Sequence, residues 1–128
     1  MKLNLNLLFS ISLLAGVVLP SVAYAADMPL TQSAYDQKIQ YYTDIINQSK
    51  RVLDDPSSTA DSESKSKSFC ARIDAYMQIE KLSKDNIQLD MAPLMHLAAQ
   101  NFLERQQKSL NISGMNTEFM CSAKQENP

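Results

Sequence analysis

Two cysteines, Cys70 and Cys121, constrain this chain more than any other feature. One lies in mid-chain and the other almost at the end. Neither belongs to a C-x-x-C motif, so the residues around them do not point to a reactive thiol. What precedes them sets the chemistry they meet. Met1-Lys2 is a small basic start, Leu7 to Leu19 is an almost unbroken apolar run, and Pro20 and Ala23-Tyr24-Ala25 follow. That order is the pattern of a secretory signal peptide. The apolar run is too short to span a bilayer as a helix. Cleavage is expected after Ala25, because cutting one residue later would place Tyr24 where a small side chain is wanted. No cysteine follows the run, so no lipid anchor is expected at the new N-terminus. An exported chain with two cysteines is expected to join them in one disulfide. The bond would close the chain between Cys70 and Cys121 into a loop, worth about 4 kcal/mol in the chain-entropy model.

The expected mature chain, 26–128, is a single domain with flexible termini. It loses Lys2, which leaves eleven Lys and Arg against fourteen Asp and Glu, a net charge of −3. Such a charge gives no reason to expect nucleic acid or an anionic membrane as partner. Gly114 is its one glycine, which argues against a β-rich fold built on tight turns. A chain of about a hundred residues buries one modest core, near the size at which a covalent staple helps.

Apolar spacing predicts helices throughout. Tyr35, Ile39, Tyr42, Ile46 and Leu53 recur in steps of three and four, with Ser49 filling a gap in the stripe. Thr31 is placed to cap this first helix, expected over 32–54 and stopped by Asp55-Pro56. The serine-rich stretch 56–68 predicts a short turn at 55–58. Weak first turns of a second helix follow, capped from Ser58 with Asp61 at capping-box spacing. The pairs Asp61–Lys65, Glu63–Lys67 and Glu80–Lys84 stand in the favourable i,i+4 order. Phe69, Cys70, Ile73, Tyr76, Met77 and Ile79 form the apolar face of that helix. Ile87 and Leu89 read as an extended connection with both side chains tucked inward, and Asp90 as the next cap. Leu94, Met95, Leu97, Ala98, Ala99, Phe102 and Leu103 make the third helix the most apolar, hence the one expected to lie deepest. Asn111 to Gly114 stops it. A short fourth helix holds Phe119, Met120 and Cys121. The expected fold is all-α: a small antiparallel bundle of three long helices with a short C-terminal helix and one disulfide.

No catalytic constellation assembles from these residues. His96 is the sole histidine and stands beside an apolar face with no nucleophile motif around it. It reads as a boundary residue rather than a general base, and one histidine excludes multi-histidine zinc patterns. Met91, Met95 and His96 fall within a turn and a half of helix. Thioethers are soft ligands that suit Cu(I), yet methionine is first a filler of irregular core gaps, and no metal or cofactor is expected. Asp54-Asp55 and Asp61 with Glu63 lack the glycine and rhythm of a calcium loop and read as charged helix ends. Tyr41 and Tyr42 are adjacent and cannot both face one core. Tyr41, off the main stripe, is therefore expected at a surface, where tyrosine favours protein contacts. The expected contact residues are Tyr41, Asp55, Asp61 and Glu63, with Lys84 and Asp85 beside the second connection.

Three resemblances bear on this. A small exported helical chain with one long-range disulfide is similar in outline to periplasmic acid chaperones of the HdeA type. The segment from Phe69-Cys70 through Phe102-Leu103 to Phe119-Met120-Cys121 resembles helical immunity proteins that neutralise secretion-system toxins, with Ala71 and Arg72 standing where a glycine follows the first cysteine in that pattern. Leu30-Thr31-Gln32 resembles the L-T-x-x-Q box of Spy-like chaperones, with Ala34 in place of its glutamine. Export, a stapled helical fold and the lack of a catalytic set together lead to one expectation. It is a periplasmic or secreted, non-enzymatic binding protein, most concretely an inhibitor or immunity protein that binds an envelope-active toxin or hydrolase. The alternative is a periplasmic chaperone of acid or metal stress.

Overall fold

The computed structural model describes residues 29–122, which form four helices and no strand. They are α1 (Gln32–Leu53), α2 (Ser62–Asp85), α3 (Ala92–Ile112) and α4 (Thr117–Ser122). The expected signal peptide falls outside the described residues. Among those residues, no helix is long and apolar enough to cross a membrane.

The helix ends follow from local hydrogen bonding. Thr31 caps α1 as expected, its Oγ1 accepting from the Ala34 N–H at 3.2 Å. The cap of α2 is Asp61, not Ser58: its carboxylate accepts from the Ser64 N–H at 2.7 Å. An ionised cap answers the helix dipole better than a hydroxyl, so α2 starts at Ser62, three residues later than a Ser58 cap would have it, and the serine-rich turns from there on are helical. Gly114 adopts the left-handed conformation (φ 69°). The Met115 N–H donates to the Leu110 carbonyl at 2.9 Å and the Gly114 N–H to Asn111 at 3.1 Å, which closes α3 in a Schellman motif. Asn116 caps α4 through a 2.6 Å bond from the Phe119 N–H.

The packing is antiparallel and centred on α2. The early α1 residue Tyr35 meets Ser83 late in α2, and Ser49 meets Arg72 early in it. In the same way His96 meets Glu80, and Phe102 stacks on Tyr76 at 3.8 Å between ring centroids. Helices α1, α3 and α4 all pack on α2. Ile46, Ala75, Ile79 and Ala99 form the centre of the core, with Ile39, Tyr42, Ile45, Tyr76 and Met95 against it. The alanines Ala75 and Ala99 let α2 and α3 approach closely.

The expectation that α3 lies deepest is corrected. Leu94 and Leu97 are more than half exposed, and only Ala92, Ala99 and Leu110 of α3 are buried. Apolar residues run most of the way round the first half of α3, so one side must face outward whatever the other covers. The central place goes to α2, the helix that short connections join to both long neighbours. Met77, placed on its apolar face by spacing, is exposed; Ile73 and Ile79 of that face are buried as expected, and Ala75 and Ser83 are buried with them. The 86–90 connection is a series of turns rather than an extended strand, and Ile87 is exposed.

Cys70 and Cys121 are joined as expected, with Cα atoms 5.6 Å apart. The bond ties α4, too short to persist alone, to α2. Replacing both cysteines by serine is expected to lower unfolding stability by about 4 kcal/mol and to reduce helix content by the α4 turns. Denaturant unfolding followed by circular dichroism measures both, and an unchanged midpoint would contradict the role assigned to the bond.

Candidate functional site

The six expected contact residues are spread along the bundle. Lys84 and Asp85 close α2 at one end, and Tyr41 lies near the middle of α1. Asp55, Asp61 and Glu63 lie at the opposite end, around the α1–α2 connection. At 1.5 Å per residue, the nineteen residues from Tyr35 to Asp54 separate these ends by roughly 28 Å.

The acidic end is structurally committed. Asp55 Oδ1 accepts from the Ser57 N–H at 2.8 Å and from the Ser57 hydroxyl at 2.6 Å, forming the turn that reverses the chain. The Ser57 hydroxyl, then the Ser57 N–H, hold the Asp55 carboxyl below the usual carboxylate range. A carboxylate with a lowered pKa supports the fold above its unfolded pKa and loses that support as pH falls through the folded value. The turn therefore weakens on acidification. Asp61 is the cap of α2, and Glu63 bridges Lys67 at 2.7 Å. The Glu63 hydrogen bond, then its charge, raise the Lys67 pKa, a support present at neutral pH and lost only as pH rises through the folded value.

Beside this end lies a polar clamp that the sequence reading did not identify. The Arg72 guanidinium grips Asp54 with two parallel bonds, Nη1 to Oδ1 at 3.1 Å and Nη2 to Oδ2 at 2.9 Å. Its Nε donates to Ser49 Oγ at 2.7 Å, and that hydroxyl donates to the Ile46 carbonyl at 2.6 Å. The Arg72 side chain is 13% exposed. Ser49 thus fills its place in the α1 stripe as a buried hydroxyl with both roles satisfied. At the other end, buried Tyr35 and Ser83 share a hydrogen bond of 2.8 Å. The two polar bridges fix the register of α1 on α2 as apolar packing alone would not.

Tyr41 is 62% exposed. Tyr42 meets it edge-on, with ring centroids 5.2 Å apart at 70°. A shallow depression beside it is lined by Ala34, Gln37, Lys38, Tyr41 and Tyr42. A second, of about 180 Å³, follows the α1–α2 seam between Lys38, Tyr42, Gln78, Lys81, Leu82 and Asp85. Asp85 accepts a bond from Lys81, while Lys84 is exposed. Tyr41 and Tyr42 thus share one depression with Lys38, and Tyr42 and Lys38 share the next with Asp85, whereas Lys84 lines neither of these two.

The methionines do not share one environment. Met95 packs on the core, whereas Met91 is exposed at the start of α3. His96 is half-buried, its Nδ1 3.5 Å from Glu80 Oε1, so Glu80 turns to His96 rather than to Lys84. Among the described residues, no group of three or more His, Cys, Asp or Glu could hold a metal ion.

The class defined is an all-α three-helix bundle with a disulfide-tied fourth helix. No family model matches the chain, and no match is found among curated proteins or solved structures.

The clamp yields a graded expectation. Arg72→Ala strands the Ser49 hydroxyl and frees Asp54; because Asp54 is half exposed, the cost is about 2 kcal/mol. That is a fall of roughly 10 °C in Tm for a domain of this size. Arg72→Lys keeps the charge without the planar fork and recovers less than half of it. Calorimetry of both variants measures this; a Tm unmoved in Arg72→Ala would show that the clamp adds nothing.

Proposed function

We propose that this chain is an exported, non-enzymatic binding protein that acts on another protein of the cell envelope. In its most concrete form it is an inhibitor or immunity protein for an envelope-active toxin or hydrolase. The observation that carries the reading is Tyr41: a large aromatic ring mostly in solvent, held against Tyr42 beside Lys38, with the Lys81–Asp85 pair lining the next depression along Tyr42. Exposing such a ring sacrifices burial, and an aromatic anchor with a mixed-charge rim is the usual core of a specific protein contact. The signal-peptide pattern supports the compartment, and the disulfide suits it.

A second reading, an envelope-stress chaperone, draws on the other end. Ile112, the last residue of α3, and Phe119, in the disulfide-tied α4, are 80% and 70% exposed, apolar side chains open to unfolded clients.

Affinity capture from envelope extract with the oxidised chain separates the two. The first reading expects one stoichiometric protein, lost with Tyr41→Ala while Tm holds. Truncating such an anchor costs about 2 kcal/mol or more, a loss of roughly thirtyfold in affinity. Capture of many unfolded proteins, strongest at low pH and indifferent to Tyr41→Ala, would replace the inhibitor with the chaperone.

A further inference from the structure

We infer that the Cys70–Cys121 bond is a redox catch: reducing it frees α4 as a strap and bares the Cys70 side of α2, while the three long helices stay packed. The inference is independent of the contact assigned to Tyr41, which lies on α1.

Burial gives α4 little hold on the bundle. It has six residues, below the length at which a helix persists alone. None of residues 117–121 is buried, and its largest apolar side chain, Phe119, is 70% exposed. Met120 and Cys121 are half-buried, with the Met120 carbonyl oxygen 3.8 Å from Cys70 Sγ. The chain reaches α4 through 113–116, four exposed residues that include the left-handed Gly114. The Schellman motif closes α3 ahead of α4, so the end of α3 is satisfied without it.

The bundle in turn does not depend on α4. The central cluster of Ile46, Ala75, Ile79 and Ala99 comes from the three long helices. So do the Arg72 clamp, the Tyr35–Ser83 bond and the Tyr76–Phe102 stack. Ile73, one turn beyond Cys70 on the same face of α2, is buried outside that cluster. Phe69, next to Cys70, is half-buried. These two are the apolar side chains beside Cys70 that departure of α4 opens to solvent.

The bond lies where a thiol can attack it, because both cysteines are half-buried rather than sealed in the core. A thiolate of a dithiol reductant attacks one sulfur, forms a mixed disulfide and expels the other sulfur as a thiolate. The second thiol of the reductant then displaces the first cysteine. Two electrons and two protons pass to the protein, leaving Cys70 and Cys121 as thiols and the reductant as a disulfide. An oxidising compartment closes the catch again. Staple and catch are distinct effects. Loop closure acts on the unfolded chain, and the release of α4 acts within the folded one.

Amide NMR of the full oxidised chain, before and after reduction with dithiothreitol, tests this. On reduction the amides of 117–121 are expected to move to random-coil positions and lose ordered relaxation. Those of Phe69, Cys70 and Ile73 should shift, while Tyr35, Ile46 and Ser83 keep their places. The reduced Cys70 should react with a maleimide within about tenfold of the rate of an unstructured peptide thiol. The double variant Cys70→Ser with Cys121→Ser should match the reduced spectrum with no reductant present. Amides of α4 that stay ordered, or a Cys70 thiol that stays closed to the maleimide, would show that burial holds α4 and overturn the inference. Collapse of the whole spectrum on reduction would overturn it too, by making the bond a staple of the entire fold.

Discussion

The packing of both α1 and α3 onto α2 around one shared core is the constraint on which the rest of this structure depends. A helix used on several sides cannot be large and apolar all round, because its neighbours would be held apart. The α2 sequence meets this with small buried residues, Ala75 and Ser83, alternating with the larger Ile73 and Ile79. Small residues admit close approach but contribute little apolar area. The deficit is offset by specific links: the Arg72 clamp and the Tyr35–Ser83 bond toward α1, Tyr76 on Phe102 toward α3, and the disulfide toward α4. Each of the three packed helices is therefore tied to α2 by at least one directional or covalent bond as well as by burial.

Much of this was legible in the sequence. Steps of three and four from Tyr35 to Ile46 placed α1, Thr31 marked its start, and Gly114 the end of α3, because amphipathic period and cap chemistry are local properties. The disulfide was legible because an export pattern with two cysteines leaves one simple pairing. The order of burial was not. Apolar count ranked α3 first, yet Leu94 and Leu97 face outward, since which side of an apolar helix meets the core depends on where its neighbours stand. Ser49, Ser83 and Arg72 were illegible for the same reason. A serine in an apolar stripe looks like a defect until the arginine opposite it is known, and that arginine lies in another helix.

The surfaces were the least legible part. Asp55, Asp61 and Glu63 were expected as contacts because they fall at an exposed connection between helices; their parts in the turn, the cap and a surface pair were not read from the sequence. Tyr41 read correctly as exposed because two adjacent tyrosines on a helix cannot share one core. The row from Ile87 to Leu97 was hidden in plain view, since its residues are the ones a sequence reading assigns to a core. Leu94 and Leu97 stay exposed because α3 packs on α2 with its other side.

The central claim is that α2, not the more apolar α3, is the spine of the fold. Native-state hydrogen exchange of the oxidised chain tests it most directly, because the slowest amides report the most deeply protected element. The account predicts the slowest exchange between Ile73 and Ile79 of α2, with the first turns of α3 opening sooner. Slowest exchange between Leu94 and Phe102 would contradict it.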